Sequence, residues 1–397
     1  MLALGGCPVV RQGVDVSSRV SREDARLEKY AGRNPIFSDR KLKLGSFGSN
    51  VEGGCAVTSG EGILRGDWAS VIEVAKLADQ MGLEAIVPLG RYRGFGGETD
   101  YGSTSFEVYT WAAAVASQTE YSAVFATSHV PTMNPVMAAK QSATVDHISA
   151  GRFVLNLVTG WHKTEMEMFG ATMLDHDTRY DVAAEWLEII KLLWERDEPV
   201  NYEGKFCRAK EALLKPRPLQ QPRPPVMCAG QSPKGVHFAA KYCDIGFTAF
   251  EKTGNLELMR AQVDNFKSIA WKEYSRTLRM WSLAYVIQGD TEREARQLYD
   301  YYVRQKGDFV AAKNVLLTNM AHAQTWTEQA VRERLEDVIA GFGSYPLIGT
   351  PEQIVDGLKM LSDAGLEGVV LSWPGYRSGM QQFRDKVLPL LQQAGLR

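Results

Sequence analysis

An α/β fold, a (β/α)8 TIM barrel with insertions, is what this sequence predicts, and three observations predict it. From about residue 41 onward, short β-rich runs alternate with helical patterns, the rhythm of βα units on a parallel sheet. The runs number eight, as many as a closed barrel needs. At 397 residues the chain is long for one ordinary domain but within the range of a barrel carrying insertions. The competing arrangement is an open doubly wound sheet, because the sequence alone does not prove closure.

In order, the strand candidates are Lys41–Gly48, Leu83–Leu89, Ser122–His129, Phe153–Thr159, Pro225–Ala229, Ile245–Phe250, Trp281–Gln288 and Gly368–Trp373. After the first, Val71, Val74, Ala75, Ala78 and Met81 form one helical stripe, with Asp67 as its N-cap. After the fourth, Thr178 or Asp177 is expected to cap a helix with Arg179 and Tyr180 in its first turn. Its apolar stripe is Tyr180, Ala183, Ala184, Leu187, Ile190 and Trp194. After the fifth, Ser232 caps a helix that has Pro233 at its first position. Two stretches break the rhythm. Residues 197–224, with Tyr202, Gly204, Phe206 and a run of prolines, read as a short hairpin and a return over the surface. Residues 305–347 exceed an ordinary loop and are expected to cover the active site. Residues 1–39 are charged and aperiodic, an arm or an oligomer contact, and residues 40–397 form the barrel domain.

Composition narrows the function classes. Apolar residues at 45% and charged residues at 23% describe a protein with a large buried core. The 45 basic against 47 acidic residues argue against nucleic acid, whose binding needs excess positive charge. Five scattered cysteines without a CxxC pair indicate neither a disulfide framework nor a zinc cluster, and fit a reducing cytoplasm. No apolar run has membrane-spanning length, so no membrane partner is expected. There is no GxxxxGK[ST], HExxH or GxSxG pattern, and the six histidines lack metal-ligand spacing. No metal is expected, and metal-dependent hydrolysis is disfavoured.

In a barrel the reacting groups sit just beyond the C-terminal strand ends. Beyond the second strand lies Gly90-Arg91-Tyr92-Arg93-Gly94-Phe95-Gly96-Gly97, a backbone able to approach a ligand or simply a glycine turn. The third ends in Thr127-Ser128-His129, which either line a polar pocket or satisfy loop backbone. Asn156 interrupts the fourth strand and needs partners at the barrel mouth, a ring edge or neighbouring backbone. Arg179 beside a helix start makes an anion site, and Gly230 with the Ser232-capped helix makes a phosphate cradle or an ordinary cap.

On these residues the chain resembles the bacterial-luciferase-like flavin monooxygenases, and within them the branch that opens the uracil ring. The matching blocks are Arg93–Gly97, Asp146–Trp161, Arg179-Tyr180 and Cys228–Ser232, in order over residues 41–250. The resemblance implies FMN contacts at Leu89, Gly90, Arg91, Asn156, Glu165, Arg179, Tyr180 and Ser232, and an oxygen niche of Leu89, Arg91, Thr127 and Asn156. Leu89 and Arg91 stand where that branch has Met and Lys, which puts the substrate in doubt. His129 and His162 also depart from it, as proton donors to a leaving group or as structural hydrogen bonders.

The implied activity is oxygenation and cleavage of a small organic substrate by reduced FMN and O2, an N-heteroaromatic ring first. A sulfone, an alkanesulfonate, a chlorinated aromatic, or hydride transfer by a deazaflavin are the alternatives. No nicotinamide fingerprint appears, so reduced FMN is expected from a separate NAD(P)H:flavin reductase. A homo-oligomer, dimer or tetramer, is expected.

Overall fold

A computed structural model describes residues 34–250, 252, 254–319 and 328–397. The strands are β1 Lys43–Phe47, β2 Ala85–Val87, β3 Ala123–His129, β4 Phe153–Val158, β5 Val200–Glu203, β6 Arg208–Ala212, β7 Val226–Cys228, β8 Ile245–Thr248, β9 Arg279–Gln288, β10 Tyr345–Gly349 and β11 Gly368–Ser372. Eight of them pair in parallel in the cycle β1-β2-β3-β4-β7-β8-β9-β11, and β11 pairs β1 again. The barrel is therefore closed, and the open-sheet alternative falls. All eight strands read from the sequence are these eight. β5 and β6 form the antiparallel surface hairpin expected within 197–224.

Side chains alternate across each strand. Phe125, Val154, Met227, Ile245, Trp281 and Val370 fill the interior, while Val124, Leu155, Val369 and Leu371 face the helices outside. Asp67 caps Trp68–Gln80 by accepting from the Ser70 amide.

Three expectations need correction. The helix His176–Glu195 is capped by Asp175, whose side chain accepts from the Thr178 amide; Asp177 and Thr178 lie inside its first turn. The reason is that a capping residue needs non-helical backbone, and here the chain turns helical one residue after Asp175. The barrel body begins before residue 40. Asn34 donates to Gln220 Oε1 at 3.0 Å and to the Phe153 carbonyl at 3.4 Å, and fully buried Ile36 belongs to the interior cluster. These residues close the floor of the barrel; residues 1–33 of the expected arm lie outside the described residues. Residues 305–347 are not a loop: they carry the helices Phe309–Asn319 and Glu328–Gly341 and reach β10. Ala284 and Tyr285 pair β11 on one edge and β10 on the other, so β10 takes the edge of β9 that β8 leaves after Ser282.

The ends of the barrel divide their work. At the N-terminal end, buried Glu84 takes Arg40 and Arg397, and buried Asp244 takes Arg223 and Arg276. The two arginines hold the Asp244 carboxyl well below the usual range against burial, which opposes them. The C-terminal end carries the candidate site. Over it lies the helical insert, through Asn314 Nδ2 to the Phe95 carbonyl at 2.7 Å and Asp308 to Thr99 at 2.7 and 2.9 Å.

Candidate active site

β3 and β4 are neighbours, and Thr127 and Asn156 are partners in register. The Thr127 hydroxyl donates to the Pro88 carbonyl, so its lone pair is left to accept from Asn156 Nδ2 at 3.0 Å. That chain of bonds orients the amide and leaves Asn156 Oδ1 buried without a partner among the described residues. A buried unmatched acceptor costs about 1–3 kcal/mol, so it marks a place where a ligand donor belongs.

The turn after β2 is fastened from two sides. Asn50 accepts from the Leu89 amide and donates to the Leu89 carbonyl, both at 2.8 Å. Gly90 packs on an imidazole: a Cβ there would lie 2.5 Å from His129 Cε1. Next, Arg91 Nη1 meets both oxygens of Glu165 at 3.1 and 3.0 Å, with the residues 5% and 0% exposed. Glu165 Oε1 also accepts from the amides of Tyr92 at 3.0 Å and Arg93 at 3.3 Å. The Arg91 guanidinium lies 4.5 Å from the Trp161 ring centre, and its Nε is buried without a partner among the described residues.

Two imidazoles stand beside this pair. His162 caps Lys163–Met168 by accepting from the Glu165 amide at Nδ1, 3.1 Å, which places its proton on Nε2. His129, at the tip of β3, is 2% exposed. Burial first, then Arg91 and His162, push its pKa down to about 3. The His162 pKa is likewise lowered, chiefly by burial.

A pH dependence follows. The unfolded chain protonates His129 near the ordinary value of about 6.5, whereas the native chain takes no proton there until about 3. The stability due to this neutral group is complete above the unfolded value and is lost as pH falls, by up to about 1.4 kcal/mol per unit. Urea midpoints should drop between about pH 6.5 and about pH 4.5, and His129→Gln should flatten the slope. Identical slopes for the two proteins would contradict the assignment.

A second cluster lies beyond β7. Ser232 caps Pro233–Tyr242, accepting from the Gly235 amide at 3.1 Å. The Tyr180 hydroxyl sits against the glycines of this turn, 2.6 Å from where a Cβ of Gly230 or Gly235 would be. Its pKa is pushed up to about 12, chiefly by burial, and its hydroxyl meets Ser232. Arg179 donates to the Gly160 carbonyl, keeps Nε without a partner among the described residues, and lines a cavity of about 240 Å³ with Val130, Pro131 and Thr159.

The structure thus gathers Leu89, Gly90, Arg91, Thr127, His129, Asn156, His162 and Glu165 into one contiguous group. Arg179, Tyr180 and Ser232 form a second, joined to the first through the chain after β4, where Gly160 precedes Trp161 and His162. Sequence reasoning missed Asn50 and gave Trp161 no role. Asn50 lies just past the first strand, a position equivalent to those of the residues beyond the second to fifth strands.

A closed parallel barrel with buried polar side chains such as Arg91, His129 and Asn156 at its C-terminal strand ends is the layout of a TIM-barrel enzyme. The chain belongs to the luciferase-like monooxygenase family, which residues 43–368 match. It is a flavin-dependent monooxygenase by that membership. The pyrimidine monooxygenase RutA of Escherichia coli O127:H6 is 28% identical over 323 residues, covering 80% of this chain and 88% of RutA. Among solved structures, riboflavin lyase RcaE shares the fold with a TM-score of 0.78 at 20% identity, over 89% of this chain and 92% of that one. An F420-dependent secondary alcohol dehydrogenase shares it with a TM-score of 0.65 at 17% identity, over 90% and 99%.

The residues present fit a phosphorylated flavin. The positive end of the Ser232-capped helix, with glycine at positions 230 and 235 of its turn, suits a phosphate. The orphaned Asn156 Oδ1, His129 Nδ1 and Arg91 Nε offer an acceptor, an imidazole nitrogen and a donor near a ring.

Proposed function

We propose that this chain is the oxygenase of a two-component system that oxygenates and cleaves a small N-heteroaromatic compound. One observation carries the reading: the Pro88–Thr127–Asn156 relay presents a buried, unmatched amide oxygen at the strand ends, beside a buried Arg91. The relative named for pyrimidines supports the substrate class. Reduced FMN, delivered by a separate NAD(P)H:flavin reductase, supplies the electrons that activate O2. Ser232, Tyr180 and Arg179 would hold its phosphate end, and Asn156 would hold the ring, with the Leu89-Gly90 turn packed against it. Glu165 acts through Arg91 as a positioning residue. Asn156, oriented by Thr127, and the Arg91 Nε donor would face the reacting edge, and the insert over the mouth would exclude water. His129 works as a neutral imidazole. His162 presents its Nε2 proton as a hydrogen-bond donor.

Ser232→Ala and Arg179→Ala should each weaken FMN binding about tenfold, the loss of roughly 1.4 kcal/mol; a fluorescence titration with unchanged affinity would remove the phosphate assignment. The function is tested by supplying a generic flavin reductase, NADH, FMN and 18O2 with a panel of pyrimidinones and related lactams. A product carrying one labelled oxygen is expected. Substrate oxidation by an oxidised deazaflavin, or substrate reduction by a reduced one, without O2 uptake would overturn it in favour of hydride transfer.

A further inference from the structure

Away from the Ser232 cluster, where Arg179 keeps an Nε without a partner among the described residues, two cations at the C-terminal end of the barrel have anionic partners. Arg91 pairs with Glu165 at 3.0 Å, and Lys252, on the chain after β8, pairs with Asp337 of the insert. Asp308 is held by Thr99 and by the Ala311 amide at the start of the helix Phe309–Asn319. The imidazoles of His129 and His162 are both neutral at pH 7, being held below their ordinary range by burial. In the group around Arg91, the atoms without partners among the described residues include Asn156 Oδ1, His129 Nδ1 and Arg91 Nε, and each belongs to a side chain that is neutral or already paired.

An anion entering such a place gives up its hydration and meets no unmatched positive charge, whereas a neutral amide or sulfone gives up much less. The Arg91 side chain would attract a carboxylate strongly if it stood alone, since guanidinium forks match carboxylates and sulfonates. Glu165 occupies that fork, and its second duty toward the Tyr92 and Arg93 amides keeps it there.

We propose that Glu165 neutralises Arg91 so that the barrel mouth takes an uncharged substrate bearing a hydrogen-bonding carbonyl, imide or sulfone, and excludes carboxylates and sulfonates. The inference rests on the mouth being the substrate chamber of the function proposed above. Within that function it keeps lactam-type heteroaromatics and sulfones and removes alkanesulfonates.

The test uses methanesulfonate and benzoate as probes, with affinities measured by calorimetry on the wild type, Glu165→Gln, and the double variant Arg91→Gln/Glu165→Gln. Anion binding at the Ser232-capped helix is common to all three and cancels in the comparison. The wild type and the double variant should bind each probe equally within twofold, and Glu165→Gln, with its guanidinium uncovered, should bind at least tenfold more tightly. Wild-type affinity tenfold or more above that of the double variant would overturn the proposal, as would a folded Glu165→Gln protein that gains nothing. Should Glu165→Gln not fold, the wild type against the double variant still decides. An FMN titration of the same proteins separates the two readings. Normal FMN binding with Arg91-dependent anion binding sinks only the exclusion of anions, while a wild type without FMN affinity sinks the function itself.

Discussion

Asn156→Ala is expected to lower product formation by about 10²-fold, the usual effect of deleting one preorganised hydrogen-bonding group, while hydrogen peroxide release rises. The fold should survive, because among the described residues the amide makes a single hydrogen bond, to Thr127 Oγ1. Thr127→Ala should act in the same direction, since it frees the amide to rotate and also abandons the Pro88 carbonyl. Product by chromatography and hydrogen peroxide by a coupled assay, measured against NADH consumed, give the coupling ratio. A ratio unchanged from wild type in both variants would remove the relay from the chemistry.

Arg91→Ala is expected to destabilise the protein by about 3–5 kcal/mol, because it leaves an uncompensated carboxylate inside the barrel mouth. Glu165 is 0% exposed, so water cannot replace the lost partner without local opening. The double variant Arg91→Gln/Glu165→Gln removes both charges, keeps hydrogen-bonding groups in place, and should recover most of that loss. Urea denaturation of the two variants and the wild type measures both quantities. An Arg91→Ala protein as stable as the wild type would show that the pair is not buried in solution. This cycle reads stability alone, so it is independent of the identity of the substrate.

The barrel was legible because its strands are runs of β-branched and aromatic residues bounded by glycine and proline, such as Phe153–Val158, and each lies in a repeating βα frame. Caps with a distinctive chemistry, Asp67 and the Ser232-Pro233 pair, were equally legible. The floor plug was not, because Asn34–Phe37 has no periodicity and its role comes from contact with Phe153 and Gln220, far away in the chain. β10 was hidden for a similar reason: Tyr345–Gly349 is short, contains Pro346, and is a strand only because β9 outlasts β8. Within the site, each residue type was visible at its strand end, but the pairing was not. Arg91 and Glu165 are separated by 74 positions, and the tertiary fold brings them together. The neutrality of the two imidazoles is likewise a property of burial, invisible in the residue names.

The account stands most directly on equilibrium binding of FMN, followed by quenching of flavin fluorescence as protein is added. Saturable binding of one FMN per chain, weakened about tenfold in both Ser232→Ala and Arg179→Ala, is the predicted result. A wild-type protein that leaves the fluorescence of FMN unchanged, and shows no affinity for the reduced form in an anaerobic titration, would contradict it.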